Sequence, residues 1–170
     1  RLADHLTLRL RSAGESEDEL HCAGLPIPGS AENLIYVALR ELRAALGPEA
    51  PLPPLSVVLE KRLPVAAGLG GGSSDAAAAL RGALQLCNLK MEPRQLMEVA
   101  ARIGSDVPLF LPEGPVLMEG RGEEITPLTR WSEPTPGVLL VSASEGIKTP
   151  DVFAAFAGGI RGESYGAALV

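Results

Sequence analysis

Aromatic residues, histidine and cysteine are all scarce in this sequence, and each shortage narrows what the protein can do. Phe, Trp and Tyr together make up 4% of the 170 residues, which is too few for a surface that stacks nucleic-acid bases. The two histidines, His5 and His21, and the two distant cysteines, Cys22 and Cys87, lack the spacing of a zinc site. We therefore expect no zinc, and reduced thiols in a cytoplasmic protein.

Positive charge is also in short supply, and long apolar runs are missing. The sequence has 15 Lys and Arg against 21 Asp and Glu, a net charge of −6, and no basic stripe. This balance argues against a nucleic-acid partner, and no segment is apolar for long enough to suggest a membrane partner. A phosphorylated small molecule fits better, because backbone N–H groups and a few local cations can hold it.

The first part of the chain predicts two strands and a helix. Leucines alternate with polar residues over positions 6–10, which predicts a half-buried strand, and residues 19–23 predict the returning strand of a hairpin that carries both histidines. Ser30 is the expected N-cap of a helix that Gly47 ends. The apolar face of that helix consists of Ile35, Ala38, Leu39, Leu42 and Leu46.

The rest of the chain mixes helices and strands, which defines the expected fold class. In chain order, the patterns predict a strand at 56–61, helices at 74–87 and 93–103, a hairpin of 115–119 with 123–128, and a strand at 138–142. This order, with a hydrophobic content of 46%, predicts one α+β domain. Its helices are expected on one face of a largely antiparallel sheet.

The glycine-rich segment over residues 68–75 is the most informative stretch. Four glycines in five positions leave the backbone free to adopt positive φ, so that successive N–H groups can form a concave anion site. Since a predicted helix follows at once, its N-terminal dipole would face the same point. Ser73 and Ser74 can cap this helix or donate to phosphate oxygens. A flexible hinge is the alternative, but a hinge does not need two serines and a helix behind it.

Two other phosphate-binding motifs fit this segment poorly. A Walker A loop ends in Gly-Lys-Ser or Gly-Lys-Thr, and no lysine follows these glycines. The dinucleotide motif G-x-G-x-x-G needs a third glycine where this sequence has Ser73. The acidic residue expected about twenty positions later would end a strand, whereas this sequence places that region between two predicted helices.

Residues 64–77, Pro-Val-Ala-Ala-Gly-Leu-Gly-Gly-Gly-Ser-Ser-Asp-Ala-Ala, resemble the second motif of the GHMP kinase superfamily. Three glycines followed by two serines are closer to the version in diphosphocytidyl-methylerythritol kinases than to those in mevalonate or homoserine kinases. The stretches 32–34, 61–64, 104–108 and 146–153 fit the same family. The resemblance implies the superfamily's N-terminal domain fold, which is similar to domain 2 of ribosomal protein S5.

The resemblance also implies an activity. The expected reaction is ATP-dependent phosphorylation of a hydroxyl of a cytidyl-diphosphate sugar alcohol, in the non-mevalonate route to isoprenoid precursors. Mg²⁺ would bridge the phosphate oxygens of ATP. The expected nucleotide-binding residues are Pro64, Gly68, Leu69, Gly70, Gly71, Gly72, Ser73 and Ser74. The resemblance also places Lys61 beside the adenine pocket and Asn33 near the nucleotide.

Without the resemblance, the sequence positions of Lys61, Asn33 and Asp75 indicate ordinary structural roles. Lys61 would be a solvated charge at a strand end, and Asn33 an ordinary residue of a first helical turn. Asp75 stands in the first turn of the next helix, where an acidic side chain favours the dipole. We do not assign Asp75 to the ligand, because its charge would repel phosphate.

Asp106 is the expected catalytic residue and Thr149 the expected substrate-binding residue. From its sequence context Asp106 is a turn or capping aspartate, and Thr149, which precedes a proline, an ordinary turn residue. The resemblance places Asp106 on the family's catalytic aspartate, where it could orient the attacking hydroxyl or accept its proton. It places Thr149 on the cytidyl side of the site.

Several expected family features are missing. The family's opening Pro-Ala-Lys segment with its catalytic-site lysine, the Tyr-His pair that binds cytosine, and a third, C-terminal glycine-rich motif are not in the sequence. We therefore interpret residues 1–148 as an ATP-binding N-terminal domain without its first strands, and 149–170 as the start of a second domain. As a fragment of this kind, the chain alone is expected to show little or no turnover.

Three functions stay open at this point. The first is the cytidyl-substrate kinase, and the second is a related kinase that acts on homoserine or a mevalonate-type alcohol. The third is a nucleotide-binding module without catalysis, which the missing lysine segment favours. Nothing in the sequence predicts an oligomeric state.

Overall fold

The computed structural model describes residues 2–12, 14–27, 33–120, 124–128 and 137–141. These ranges contain five strands, three α-helices and one 3₁₀ turn. In chain order they are β1 (His5–Leu10), β2 (Glu19–Gly24), α1 (Leu34–Leu46), β3 (Leu55–Lys61), α2 (Gly71–Leu86), α3 (Pro93–Ile103), the 3₁₀ turn Pro108–Phe110, β4 (Val116–Glu119) and β5 (Glu124–Pro127). The α+β class expected from the sequence is confirmed.

The main sheet has three strands in the order β1-β3-β2, with β3 in the centre. β1 runs antiparallel to β3, and β2 runs parallel to it. The predicted hairpin of residues 6–10 with 19–23 is therefore wrong, and the sheet is mixed. β3 takes the centre because Leu55, Val57 and Leu59 are almost completely buried, whereas both edge strands are largely half-buried or exposed.

The helices cover one face of this sheet, as expected. Along β3, buried residues alternate with more exposed ones, so only one face points into the core. α1 and α2 pack against each other, α3 packs on α1, and α2 lies on β1. The core contains Ile35, Leu39 and Leu42 from α1, Leu80 from α2, and Val99 from α3, together with the inward residues of β3.

The helix boundaries show which sequence signals were effective. Asn33 is the N-cap of α1, and its side-chain oxygen accepts a hydrogen bond from the Ile35 N–H at 3.0 Å. The predicted cap, Ser30, lies outside the described residues. Gly47 ends α1 with positive φ, as predicted. Pro93 opens α3 and Gly104 ends it, also as predicted.

The last part of the chain gives a mixed result. β4 and β5 form the predicted antiparallel pair. The predicted strand at 138–142 is wrong over 138–141, which is described without regular structure and with 52–88% of each side chain exposed. Apolar residues alone do not make a strand, because a strand also needs a neighbour to pair with. Ser142, Thr149 and the predicted second domain lie outside the described residues.

Among the described helices, none combines the length and the apolar character needed to cross a membrane.

Candidate functional site

The glycine-rich segment forms a turn that leads directly into α2, as predicted. Gly68 and Gly70 adopt positive φ values of 71° and 65°, and α2 begins at Gly71. The first helical hydrogen bond runs from the Ser74 N–H to the Gly70 carbonyl oxygen, at 2.9 Å. Within the described part of the chain, the N–H groups of residues 71–73 have no hydrogen-bond acceptor. These N–H groups and the helix dipole make the turn a suitable anion site.

The expected capping by Ser73 and Ser74 is wrong. The N-cap of α2 is Gly70, which has no side-chain bond, so both serines fall inside the first turn. The Ser74 hydroxyl donates to the Gly71 carbonyl oxygen at 2.8 Å. The helix starts earlier than predicted because the left-handed conformation of Gly70 already turns the chain into the helical direction.

A cleft of about 510 Å³ opens over this turn. It brings together all but two of the site residues expected from the sequence. Ser74 lies instead on an adjoining cavity of about 560 Å³, and Thr149 is outside the described residues. The expected residues that line the cleft are Asn33, Lys61, Pro64, Gly68, Leu69, Gly70, Gly71, Gly72, Ser73 and Asp106.

Asp106 lies in the same cleft as the glycine-rich turn, although its sequence context alone favoured an ordinary turn aspartate. Its side chain is exposed and follows the end of α3. The segment that carries Asp106 continues to Phe110, whose ring packs on the turn. A Cβ atom added to Gly70 would lie 2.8 Å from Phe110 Cζ, so the glycine permits this close contact. The contact holds the segment with Asp106 against the turn.

Lys61 is buried, so the interpretation as a solvated edge charge is wrong. Only 5% of its surface is exposed, since it occupies the next inward position of β3 after Leu59. Its Nζ atom lies 2.5 Å from Asp4 Oδ2 and 2.7 Å from Asp75 Oδ2. Asp4 Oδ1 also accepts the backbone N–H groups of Arg62 and Leu63, at 2.6 and 2.8 Å. We call Asp4, Lys61 and Asp75 the two-acid cluster.

The two acids of this cluster titrate differently. Burial alone would raise the pKa of Asp4, but bonds from the Leu63 N–H, Lys61 and the Arg62 N–H lower it below the usual value. Asp75 has the Lys61 ammonium but no backbone donor, and burial raises its pKa to about 6. Burial also opposes the charge on Lys61, yet its bonds to both carboxylates raise its pKa overall. Lys61 therefore stays charged.

Sequence reasoning missed Asp4 and misjudged Asp75. Asp4 precedes β1 without any motif, and Asp75 was interpreted only as a helix first-turn residue. A signal was present in the alternation of β3, which places Lys61 on the same face as Leu55, Val57 and Leu59. A lysine on the inward face of a strand requires a buried acidic partner, because an unpaired buried charge is very costly.

The donor set of the cleft fits Mg²⁺ bound together with a nucleotide. Among the described residues, no group of three or more His, Cys, Asp or Glu could hold a metal ion. Mg²⁺ is commonly held by one or two carboxylates and the phosphates of a substrate, while it keeps several waters. The exposed carboxylate of Asp106 and an anion site in one cleft match that pattern.

Comparison with known proteins extends this picture. Residues 33–114 match the family model for the GHMP kinases N terminal domain. The 4-diphosphocytidyl-2-C-methyl-D-erythritol kinase of Gluconacetobacter diazotrophicus is 42% identical over 159 residues, which cover 90% of this chain and 52% of that protein. The enzyme of the same name from Pelotomaculum thermopropionicum is 41% identical over 157 residues, covering 92% and 53%.

A solved structure gives the same similarity. The crystal structure of a 4-(cytidine 5'-diphospho)-2C-methyl-D-erythritol kinase superposes with a TM-score of 0.57 at 38% identity. The superposition covers 75% of this chain and 42% of that one. The chain therefore spans about half the length of the relatives that it matches.

Proposed function

Because the chain belongs to the GHMP kinase family, we propose that it forms the nucleotide-binding part of an ATP-dependent small-molecule kinase. The substrate that we propose is 4-diphosphocytidyl-2-C-methyl-D-erythritol, the compound in the names of the relatives at about 40% identity. The product would serve isoprenoid precursor biosynthesis. Since ATP and this substrate are water-soluble metabolites, a cytoplasmic location is part of the proposal.

One observation carries this proposal: the anion-binding turn and Asp106 line the same cleft. In phosphoryl transfer, the protein acts mainly by positioning the phosphates and by stabilising charge. The free N–H groups of residues 71–73 would hold phosphate oxygens at the N-terminus of α2. Asp106 would orient the attacking hydroxyl and accept its proton.

The other residues expected from the sequence have supporting roles in this proposal. Asn33, with Pro64 and Leu69 at the rim of the loop, would contact the nucleoside part of ATP. Ser73 would donate its hydroxyl to a phosphate, whereas the Ser74 hydroxyl holds the first turn of α2 through its bond to Gly71. Mg²⁺ would be held mainly by phosphate oxygens and waters beside the Asp106 carboxylate, and it would neutralise part of the phosphate charge. Thr149 remains the proposed contact on the cytidyl side.

Asp106→Asn tests the catalytic assignment. The substitution keeps the shape of the side chain and removes the proton acceptor, so we expect kcat to fall by about 10²- to 10⁴-fold. The KM for ATP should change little. Rates are measured with the complete gene product, in a coupled assay of ADP release, over a panel containing the cytidyl substrate, homoserine and mevalonate.

The matched control is Glu98→Gln, an exposed acid on α3 outside the cleft, which should keep the normal rate. A near-normal kcat in Asp106→Asn would remove Asp106 from the catalytic role. Turnover of homoserine or mevalonate, and not of the cytidyl compound, would overturn the proposed substrate.

A further inference from the structure

The two-acid cluster lies directly beneath the proposed phosphate site. A Cβ atom added to Gly71, the first residue of α2, would lie 3.0 Å from Lys61 Nζ and 3.5 Å from Asp4 Oδ2. Gly71 does not have positive φ, so its glycine identity is explained by this close approach. Lys61 and Asp75 both line the cleft. The charges of the cluster are therefore close enough to interact with any anion bound at the turn.

The charges of the cluster do not balance. One ammonium is shared by two carboxylates, so the cluster has a net charge of −1 when both acids are ionised. A negative cluster beneath an anion site opposes binding, because like charges in a partly buried site repel each other strongly. A proton on one acid would make the cluster neutral.

Asp75 is the acid that can take this proton. Both oxygens of Asp4 are engaged, one by Lys61 and one by two backbone N–H groups. Among the hydrogen bonds of the described residues, Asp75 accepts from Lys61 alone. Burial raises the pKa of Asp75 to about 6, so a further rise of about one unit would leave it half protonated at pH 7.

The groups that surround Asp75 leave this assignment in place. The charged groups that act on Asp75 are Asp4, before β1, and Lys61, at the end of β3. The Cys22 thiol of β2 is near enough to sense the charge of Asp75, and Asp106, after α3, lines the same cleft. Burial and the charge of Asp75 raise the pKa of Cys22, so this thiol stays neutral. Lys61 is the cation that the structure places on Asp75.

We propose that Asp75 is a positioning and charge-balancing residue of the anion site, and that it takes up a proton when a nucleotide phosphate binds in the turn. This inference rests on the proposed function, since it takes the nucleotide as the anion. Lys61 would stay fixed between its two partners, and the cluster would change from a charge of −1 to neutrality as the phosphate enters. The proton comes from solvent and returns to it when the nucleotide leaves.

The sign of the pH dependence follows from linkage. If the bound anion raises the pKa of Asp75 further, the protonated protein binds more tightly. Affinity should therefore fall as pH rises from 6 to 8, by about fivefold if the bound anion raises the pKa by about one unit. ADP itself titrates near pH 6 to 7, but this contribution is the same for any variant of the protein.

Calorimetry of ADP binding to the complete gene product tests the proposal. At pH 7, titrations in two buffers of different ionisation enthalpy give the number of protons taken up. Wild type should take up at least roughly 0.3 proton more than Asp75→Asn, which keeps the shape and an acceptor for Lys61. The control Glu98→Gln removes an exposed carboxylate outside the cleft and should keep the wild-type uptake.

If Asp75→Asn does not fold, a second measurement on the wild-type protein still tests the proposal. Carboxyl ¹³C spectra of the wild-type protein should show one buried aspartate whose titration midpoint near pH 6 rises when ADP is added. Equal proton uptake in wild type and Asp75→Asn, or an unshifted midpoint, would overturn this inference and leave the proposed function standing. Failure of the wild-type chain to bind ADP at any pH between 5 and 8 would overturn both.

Discussion

β3 is held by an ion-pair cluster at each end, and the two clusters differ in their balance of charge. At its start, Arg43 makes a bidentate pair with Asp18, both bonds at 2.6 Å, and Asp18 also accepts the Leu55 N–H. At its end, Lys61 is shared by Asp4 and Asp75. The first cluster is one cation with one anion, and the second has one anion too many.

This difference separates a structural role from a functional one. Arg43 donates further hydrogen bonds to the carbonyl oxygens of Leu52 and Pro53, so the first cluster joins α1 to the loop before β3. Neither Arg43 nor Asp18 lines the cleft over the glycine-rich turn. The second cluster keeps an unbalanced carboxylate, and two of its three residues line the cleft. Perturbed acids with incomplete partners concentrate at functional sites. Charge balance, more than burial, distinguishes the two.

The largest effect is expected from Lys61→Met. Removing the ammonium leaves two buried carboxylates close together, which should cost about 3–5 kcal/mol of unfolding free energy at pH 7. The loss should be smaller at pH 5, because protonation of Asp75 relieves the repulsion. Urea unfolding at both pH values measures this, with exposed Arg62→Met as the control. A loss that does not depend on pH would show that packing of the lysine side chain, not charge, dominates.

Arg43→Met should have a smaller effect on stability and none on the cleft. It removes hydrogen-bond donors from the Asp18 carboxylate and from two carbonyl oxygens. Because about a third of the Arg43 side chain is exposed, we expect a loss of about 1–3 kcal/mol of unfolding free energy. The affinity for ADP should stay at the wild-type value, whereas Lys61→Met should weaken it. Arg40→Met, exposed on the same helix, is the control for stability. Weaker ADP binding by Arg43→Met would break the distinction between the clusters.

The smallest effect is expected from a pair of alanine substitutions in the first turn of α2. Gly72→Ala meets nothing closer than 3.7 Å and should gain up to about 1 kcal/mol, since alanine is the better helix former. Gly71→Ala brings a methyl group to 3.0 Å from Lys61 Nζ, so the helix-forming gain should be lost. Gly71→Ala should therefore be at least about 0.5 kcal/mol less stable than Gly72→Ala. Thermal unfolding compares the two. Equal stabilities of the two variants would mean that the Lys61 side chain can shift away from the added methyl group without cost.

Local patterns predicted most of the helices and the position of the turn. The glycine-rich segment 68–72, the stop at Gly47 and the start at Pro93 are each decided by the backbone preferences of single residues. The shared cleft of Asp106 and the turn followed from the family resemblance, and spacing alone favoured a turn aspartate instead.

Features that depend on distant partners were not predictable in the same way. The strand at 19–23 was found, but its neighbour was not, because the choice between β1 and β3 depends on which strand has the most apolar surface to bury. Asp4 pairs with a lysine far along the chain and has no local signature. The strand expected at 138–142 had the right composition, but over 138–141 it has no strand partner among the residues that the structure describes.

The order β1-β3-β2 also constrains how the chain assembles during synthesis. Of the three strands in this sheet, β1 and β2 are synthesised before β3 but do not pair with each other, so neither can form its ladder until β3 has followed α1. Every pairing in this sheet is therefore non-local, and pairings of that kind slow folding because a long loop must close before any ladder bond forms. Until residue 61 has been synthesised, β1 and β2 lack their partner in this sheet and can mispair. Lys61, the last residue of β3, then also forms the ion pair with Asp4.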